Sequence, residues 1–231
     1  MRGRALFVAF FFVLVGVGCA SVDPRTVAGL EAFDREDYAA AMDQWRLAAE
    51  EGDAEAQNGV GWLFAEGLGV PVNHETAARW FAMAAEQEHA PAQLNLGNLF
   101  DDGLGVPKDY VEAARWFVLA AEAGVAEAQG NLGMMYKAGQ GVPLDHGKAA
   151  QWLLRAARQG YPPAQNSLGI LLFKGFGVAQ NTEDALFWID QAVRNDQPGA
   201  EHNREFVAAF LSVEKIAKIE DRAANWRPTI E

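Results

Sequence analysis

Ser212-Val-Glu-Lys215 is the one place in this chain where a nucleophile and a base stand at a catalytic spacing. It matches Ser-x-x-Lys, the pattern in which a lysine one helical turn on can take the proton of an attacking serine hydroxyl, as in serine β-lactam hydrolases. The companion signatures Ser-Asp-Asn and Lys-Thr-Gly are absent, and the other serines are Ser21 and Ser167. Ser212 also stands where a last helix needs an N-cap, a role that accounts for it without chemistry. The histidines, His74, His89, His146 and His202, are scattered, and no two have the His-x-x-x-His spacing of a zinc site. They read as surface or capping residues. Gly-x-Gly occurs four times, without the preceding strand of a phosphate loop and in a slot that repeats. Acid pairs such as Asp101-Asp102 fall at helix ends and read as solvated. The expectation is a chain with no catalytic residues, no metal and no cofactor.

The elements that carry these residues recur with a fixed spacing of 36 residues. Ala-Gln stands at Ala56-Gln57, Ala92-Gln93, Ala128-Gln129 and Ala164-Gln165. A glycine follows at Gly61, Gly97, Gly133 and Gly169. Then come the turns Gly67 and Gly69, Gly103 and Gly105, Gly139 and Gly141, Gly175 and Gly177, each followed by Val, and a tryptophan at Trp80, Trp116, Trp152 and Trp188. A constant period of this size predicts stacked units that bury their apolar faces against their neighbours.

Each unit reads as helix, tight turn, helix. In the first, Ala56, Val60, Leu63 and Phe64 share one face of a helix over 54–66. Gly67 suits a left-handed residue after the last turn, Gly69 permits a second unusual dihedral or a close backbone approach, and Pro71 stops the helix. Asn73, Asp109, Asp145 and Asn181 stand as N-caps of the second helices, and Asp109 with Glu112 fits a capping box. Ala77, Trp80, Phe81, Ala84 and Ala85 form an amphipathic stripe, in which Trp and Phe are expected to fill the space between units. Gly52, Gly124 and Gly160 end the corresponding helices.

The pattern Ala-Gln, Leu-Gly, Tyr/Phe, Gly-x-Gly-Val, Asp, Ala-x-x-Trp, Ala-Ala resembles the Sel-one-like repeat (SLR), a relative of the tetratricopeptide repeat. The third unit carries it most fully, in Ala128, Leu132, Gly133, Tyr136, Gly139, Gly141, Val142, Asp145, Lys148, Ala149, Trp152, Ala156, Ala157 and Gly160. The resemblance implies an all-α solenoid with units at 54–89, 90–125, 126–161 and 162–197, a degenerate unit over 22–53 and capping helices over 198–231. It also implies protein–protein interaction, as adaptor, scaffold or regulator. Some members are described as penicillin-interactive, so a β-lactamase-like hydrolase at Ser212 stands as the enzymatic rival.

Nine positions are identical in all four units and serve the stacking. On the first helices, the positions at 58, 62 and 65 vary between units while sharing one face. In relatives of this architecture that helix lines the concave side. Trp62, Asn98, Asp101, Met134, Lys137, Ile170 and Phe173 are therefore expected to contribute to a groove for a peptide or protein partner. Burial of Trp62, Met134 and Ile170 would remove the groove. A glycan- or peptidoglycan-associated module, using Trp62 and the acidic rim, is the alternative.

At the N-terminus, Arg2 and Arg4 precede an uncharged apolar run from Leu6 to Val17, shorter than the ~20 residues that span a bilayer. The expectation is a signal peptide over 1–18. Gly18-Cys19 resembles a bacterial lipoprotein processing site, with Gly16 where leucine is usual. Lipidation of Cys19, the single cysteine, and ordinary cleavage after Ala20 both remain open. Either exports the chain, and the residue after Cys19, Ala20, points to the outer membrane in the lipidated case. With 31 acidic against 19 basic residues and a net charge of −12, the chain does not suit a phosphate backbone, so no nucleic-acid partner is expected.

Overall fold

The computed structural model describes residues 23–229; the signal-peptide and Cys19 expectations lie outside them. The described residues form twelve helices and no strand: α1 (Pro24–Asp34), α2 (Tyr38–Glu50), α3 (Ala54–Glu66), α4 (His74–Ala85), α5 (Ala90–Asp102), α6 (Tyr110–Glu122), α7 (Ala126–Ala138), α8 (His146–Arg158), α9 (Pro162–Lys174), α10 (Thr182–Arg194), α11 (Ala200–Ala208) and α12 (Val213–Asn225). Odd-numbered helices open the units and even-numbered helices close them. The result is an all-α superhelix of helix pairs.

The core is a row of separate clusters. Each of the first three joins the closing helix of one unit to the opening helix of the next: α2 with α3, α4 with α5, α6 with α7. The last takes in α8, α9, α10, α11 and α12. No common interior exists among the described residues, so each unit depends on its neighbours.

Four buried glutamines bind these junctions. Gln57 donates its Nε2 to Ala49 O at 3.0 Å, Gln93 to Ala85 O at 3.2 Å, Gln129 to Ala121 O at 3.1 Å and Gln165 to Ala157 O at 3.1 Å. Each acceptor is a carbonyl in the last turn of the preceding helix, which has no partner within that helix. Gln87 and Gln159 in turn donate to Gln57 Oε1 at 2.8 Å and Gln129 Oε1 at 2.9 Å. In the last unit the matching residue is Asn195, one methylene shorter, and Gln165 Oε1 is left buried without a partner.

Within a unit, the closing helix lies against a glycine. A Cβ at Gly61 would stand 2.7 Å from the Phe81 ring, and one at Gly97 2.7 Å from Phe117. Phe81, Phe117, Leu153 and Ile189 are the fully buried side chains here. This corrects the sequence expectation for the tryptophans. Trp80, Trp116 and Trp152 are half-buried lids over the junction with the preceding unit. Trp188 alone is buried, at 8% exposure, because Trp226 packs edge-on against it with centroids 5.7 Å apart.

The turns carry the second contact between units. Their first glycines, Gly67, Gly103, Gly139 and Gly175, are left-handed caps with φ between 69° and 75°. For the second glycines the sequence left two reasons open, an unusual dihedral or a close backbone approach. The structure shows both in the later units. Gly105, Gly141 and Gly177 have φ of 72°, 67° and 71°. A Cβ at Gly105 would stand 2.2 Å from His74 C, one at Gly141 1.9 Å from Tyr110 O and one at Gly177 2.2 Å from His146 C. Each turn lies on the first residue of the preceding closing helix, so close approach and left-handed backbone both demand glycine. Gly177 is nonetheless exposed to solvent on its other side. Gly69 differs from these three. Its φ is 70°, and a Cβ there would stand 3.0 Å from Tyr38 Cβ and 3.3 Å from Tyr38 C, a looser approach, so the dihedral is the stronger demand in the first unit.

Asn73, Asp109, Asp145 and Asn181 cap their helices. The capping box at Asp109 is only half made: Glu112 pairs with Arg115, and Asp109 N donates to Phe100 O instead.

The unsatisfied Gln165 oxygen yields a prediction. Asn195→Gln restores the bond that Gln159 makes two helices earlier and should raise stability by about 1 kcal/mol, the net value of one buried hydrogen bond. Denaturant unfolding checks it; an unchanged midpoint would mean that this oxygen is already satisfied.

Candidate partner-binding wall

Side-chain bonds run directly from one opening helix to the next. Asn95 donates to Asn58 Oδ1 at 2.9 Å, Asn131 to Asn98 Oδ1 at 3.2 Å, Ser167 Oγ to Met134 Sδ at 3.2 Å, and Asn203 to Asn166 Oδ1 at 2.9 Å. Together they join α3, α5, α7, α9 and α11 in one row. Successive opening helices thus approach one another along this row, the side expected to be the inner wall. The turn glycines, Gly177 among them, lie at the helix ends and take no part in this row.

The seven expected groove residues all lie on these helices, with different degrees of freedom. Met134 is exposed, at 38%. Trp62 is half-buried against the α4–α5 cluster, and Ile170 and Phe173 are half-buried against the cluster of the last units. Asn98 is half-buried and accepts the Asn131 bond. Asp101 and Lys137 are half-buried as well. None of the seven is closed off, yet five of them also pack on the clusters or bond along the row.

The register carries one unit further than the sequence expectation took it. Trp62, Asn98, Met134 and Ile170 recur every 36 residues, and the next member is Phe206 on α11. Phe206 is 52% exposed and Phe210 62%. Both rings pack against Phe173, with centroids 5.5 and 5.1 Å away. Arg204 and Glu205 in the place of Leu-Gly hid this continuation. Arg204 has its own structural task, since its Nε donates to the buried Asp190 at 2.6 Å.

The wall is electrically divided. Burial, with the charge of Asp102 beside it, pushes the Asp101 carboxyl above the ordinary range despite Lys108. Burial pushes Glu127 up, against a hydrogen bond from Asn98. Burial and then the Glu127 charge push the Tyr161 phenol up to about 12. Burial, then repulsion from Lys174, pushes the Lys137 ammonium below the ordinary lysine range.

Elsewhere the candidates for chemistry are occupied. Ser212 Oγ accepts from Lys215 N at 3.4 Å as a helix cap, and Lys215 Nζ is held by Glu183 at 2.7 Å. His89 caps α5 through Nδ1, accepting from Ala92 N at 3.3 Å, with Nε2 3.2 Å from Glu55. Among the described residues, no three His, Cys, Asp or Glu side chains converge as a metal site, and no helix is long and apolar enough to cross a membrane. A cleft of about 380 Å³ opens on the outer side between α4 and α6, walled by Ala78, Phe100 and Trp116, but Glu75 and Arg79 at its rim neutralise each other.

Comparison with known proteins places this geometry. The family model for the Sel1 repeat matches residues 54–89, 90–125, 126–161 and 162–196. The structure is similar to c5321, a protective antigen of uropathogenic Escherichia coli strains with an SLR fold, at 29% identity and TM-score 0.75, over 87% of this chain and 45% of that one. This chain thus spans less than half the length of c5321. It is similar to a Sel1 repeat protein from Oxalobacter formigenes at 28% identity and TM-score 0.77, over 87% and 82% of the two chains. Immunity protein Pa5087 from Pseudomonas aeruginosa, at 17% identity and TM-score 0.52 over 90% and 86%, shares the fold alone. Comparison with curated proteins finds no match.

The raised Glu127 carboxyl has a consequence for stability. The folded state holds this proton more tightly than the unfolded chain, so the stability tied to it is complete at acid pH and is lost as pH rises through the folded value. Glu127→Gln should therefore raise the melting temperature at neutral pH, with the difference vanishing below the ordinary carboxylate range. The Tyr161 phenol should titrate lower in the same variant. A variant that melts lower at neutral pH would contradict this reading.

Proposed function

Because this chain belongs to the Sel1 repeat family, whose members serve as protein-interaction scaffolds, we propose that it is an exported interaction module that binds a protein or peptide partner along its inner wall. The observation that carries the reading is the exposure of Met134 and Phe206 on this row, which persists although Ser167 bonds the one and Phe173 packs against the other. Large apolar side chains left in water in an otherwise acidic, charged surface mark contact sites. The apolar positions that stay constant between units lie in the clusters, so these residues are not needed to stack the units.

The place of action follows from the N-terminal segment. Two arginines, an apolar run and Gly18-Cys19 support export and a lipid anchor on Cys19 at the periplasmic face of a bacterial envelope, with the outer membrane as the destination. The net charge of −12 disfavours direct adsorption to an anionic membrane surface, so in this reading the lipid makes the membrane contact.

One experiment tests both halves. A photo-crosslinking residue is placed at Met134 or, as control, at Leu119, which is 40% exposed on the outer helix α6. Cells are fractionated after irradiation. A discrete crosslinked protein is expected from Met134 and not from Leu119, in the membrane fraction, with Cys19→Ser releasing the chain to the soluble fraction. Equal crosslinking from both positions would overturn the inner wall. An unchanged distribution of Cys19→Ser would overturn the anchor.

A further inference from the structure

Several cations of this chain are held in ion pairs. Arg25, Arg79, Arg115, Arg204 and Arg222 all hold carboxylates. Lys137 and Lys174 are among the cations that hold no carboxylate, although Lys174 lies 5.8 Å from the Phe176 ring centroid, and they differ from the others in acting on each other. They stand together at one place on the inner wall. Lys137 on α7 occupies, one unit earlier, the slot that Phe173 fills on α9, and Lys174 follows Phe173 directly. The burial of Lys137 and then the repulsion from Lys174 weaken its hold on its proton. Two unneutralised ammonium groups at close range are an unusual feature in a chain with 31 acids.

Beside them is an open aromatic surface. Phe173, Phe206 and Phe210 contact one another, with the Phe206 and Phe210 centroids 5.6 Å apart, and the outer faces of the latter two remain in water. The other half of the wall has the opposite character. Asp101 already holds its carboxyl against the Asp102 charge, so a further negative group there would be repelled.

From this juxtaposition we infer that the C-terminal half of the inner wall is built for a partner segment in which an acidic side chain lies beside large apolar ones. The carboxylate lies between Lys137 and Lys174, and the apolar side chains cover Phe173, Phe206 and Phe210. Charge complementarity selects the occupant and its direction: the acidic side chain faces α7 and α9, away from Asp101 on α5. The aromatic rings supply a desolvated anchor of the kind that carries most of the binding energy in such interfaces. A second copy of this chain, itself at −12, is disfavoured by long-range repulsion. The inference rests on the inner wall being the interaction surface, and it names what that surface selects.

The test is selection of short random peptides displayed on phage against the full chain, followed by measurement of the enriched peptides as synthetic, C-terminally amidated probes. Enrichment of Asp or Glu within a few residues of Phe, Trp or Leu is expected. Affinity should fall about tenfold or more for the double variant K137A/K174A and again for F206A/F210A, and K137E/K174E should prefer Lys- or Arg-containing peptides. These side chains lie outside the buried clusters, and matching circular dichroism melts confirm that each variant folds. Peptides without acidic enrichment, or bound equally by the lysine variants, overturn the inference. If such peptides still lose affinity when Met134 is changed to Glu, the inner wall itself stands. Peptides unaffected by any inner-wall change, peptides that bind only with a free C-terminal carboxylate, and the absence of any selected peptide each overturn it as well; the first and last also overturn the wall as the binding surface.

Discussion

A buried glutamine amide reaching across each junction is the contact on which the rest of this structure depends. A helix ends with carbonyls that have no partner within it, and in this fold those ends are pressed against the next unit, away from water. Gln57, Gln93, Gln129 and Gln165 each satisfy one such carbonyl. Each of these carbonyls also accepts a backbone N–H from three residues on, at Gly52, Glu88, Gly124 and Gly160, so an apolar residue in the glutamine's place loses one buried hydrogen bond, a cost of about 1 kcal/mol. The bond also fixes an angle. It ties the opening helix of one unit to the last turn of the previous closing helix, and the same tie made four times gives the rod its regular curve.

From that regularity follows a division of labour among side chains. The clusters use one face of each opening helix, and the glycines at 61, 97, 133 and 169 let the closing helix lie close on another. The turns at Gly105, Gly141 and Gly177 dock on the preceding unit through backbone, at distances that admit no Cβ. What is left on the opening helices is a strip bonded only lightly from unit to unit, through asparagines and one Ser–Met contact. On that strip composition is free to change, and it does: acidic in the second unit, basic in the third, aromatic in the fourth and beyond. A surface of changing character on a repeating frame is suited to recognising an extended partner.

Much of this frame was legible in the residues. A period of 36, glycines in turn slots and Asx caps each have a local physical cause, so they read directly as helix pairs. What was not legible depended on the neighbouring unit. The sequence marks Gln57 and its equivalents as constant, but their acceptors lie eight residues back in a different helix. It marks Gly177 as a turn, but not that the backbone of His146 is what the turn rests on. Trp80 and Phe81 share a stripe, and only the glycine at 61 on the facing helix decides that Phe81 takes the buried place. Phe206 escaped because Arg204 and Glu205 break the unit's motif, although the 36-residue step from Ile170 leads straight to it. The sequence alone marks the C-terminal segment as capping helices. In fact Trp226 covers Trp188, and Thr229 N reaches Arg158 O, at the end of α8, at 2.9 Å.

The central claim is that the inner strip is spare to the fold. Urea unfolding of a chain carrying Met134→Ser, Lys137→Ser and Phe206→Ser together measures this directly, beside Leu132→Ala as the reference for a residue that builds a junction. The account predicts a loss of about 1 kcal/mol or less for the triple change, as for surface substitutions, against about 2–5 kcal/mol for Leu132→Ala. A triple variant as damaged as the Leu132 variant would show that these side chains hold the rod together, and the strip would then have no surface to offer a partner.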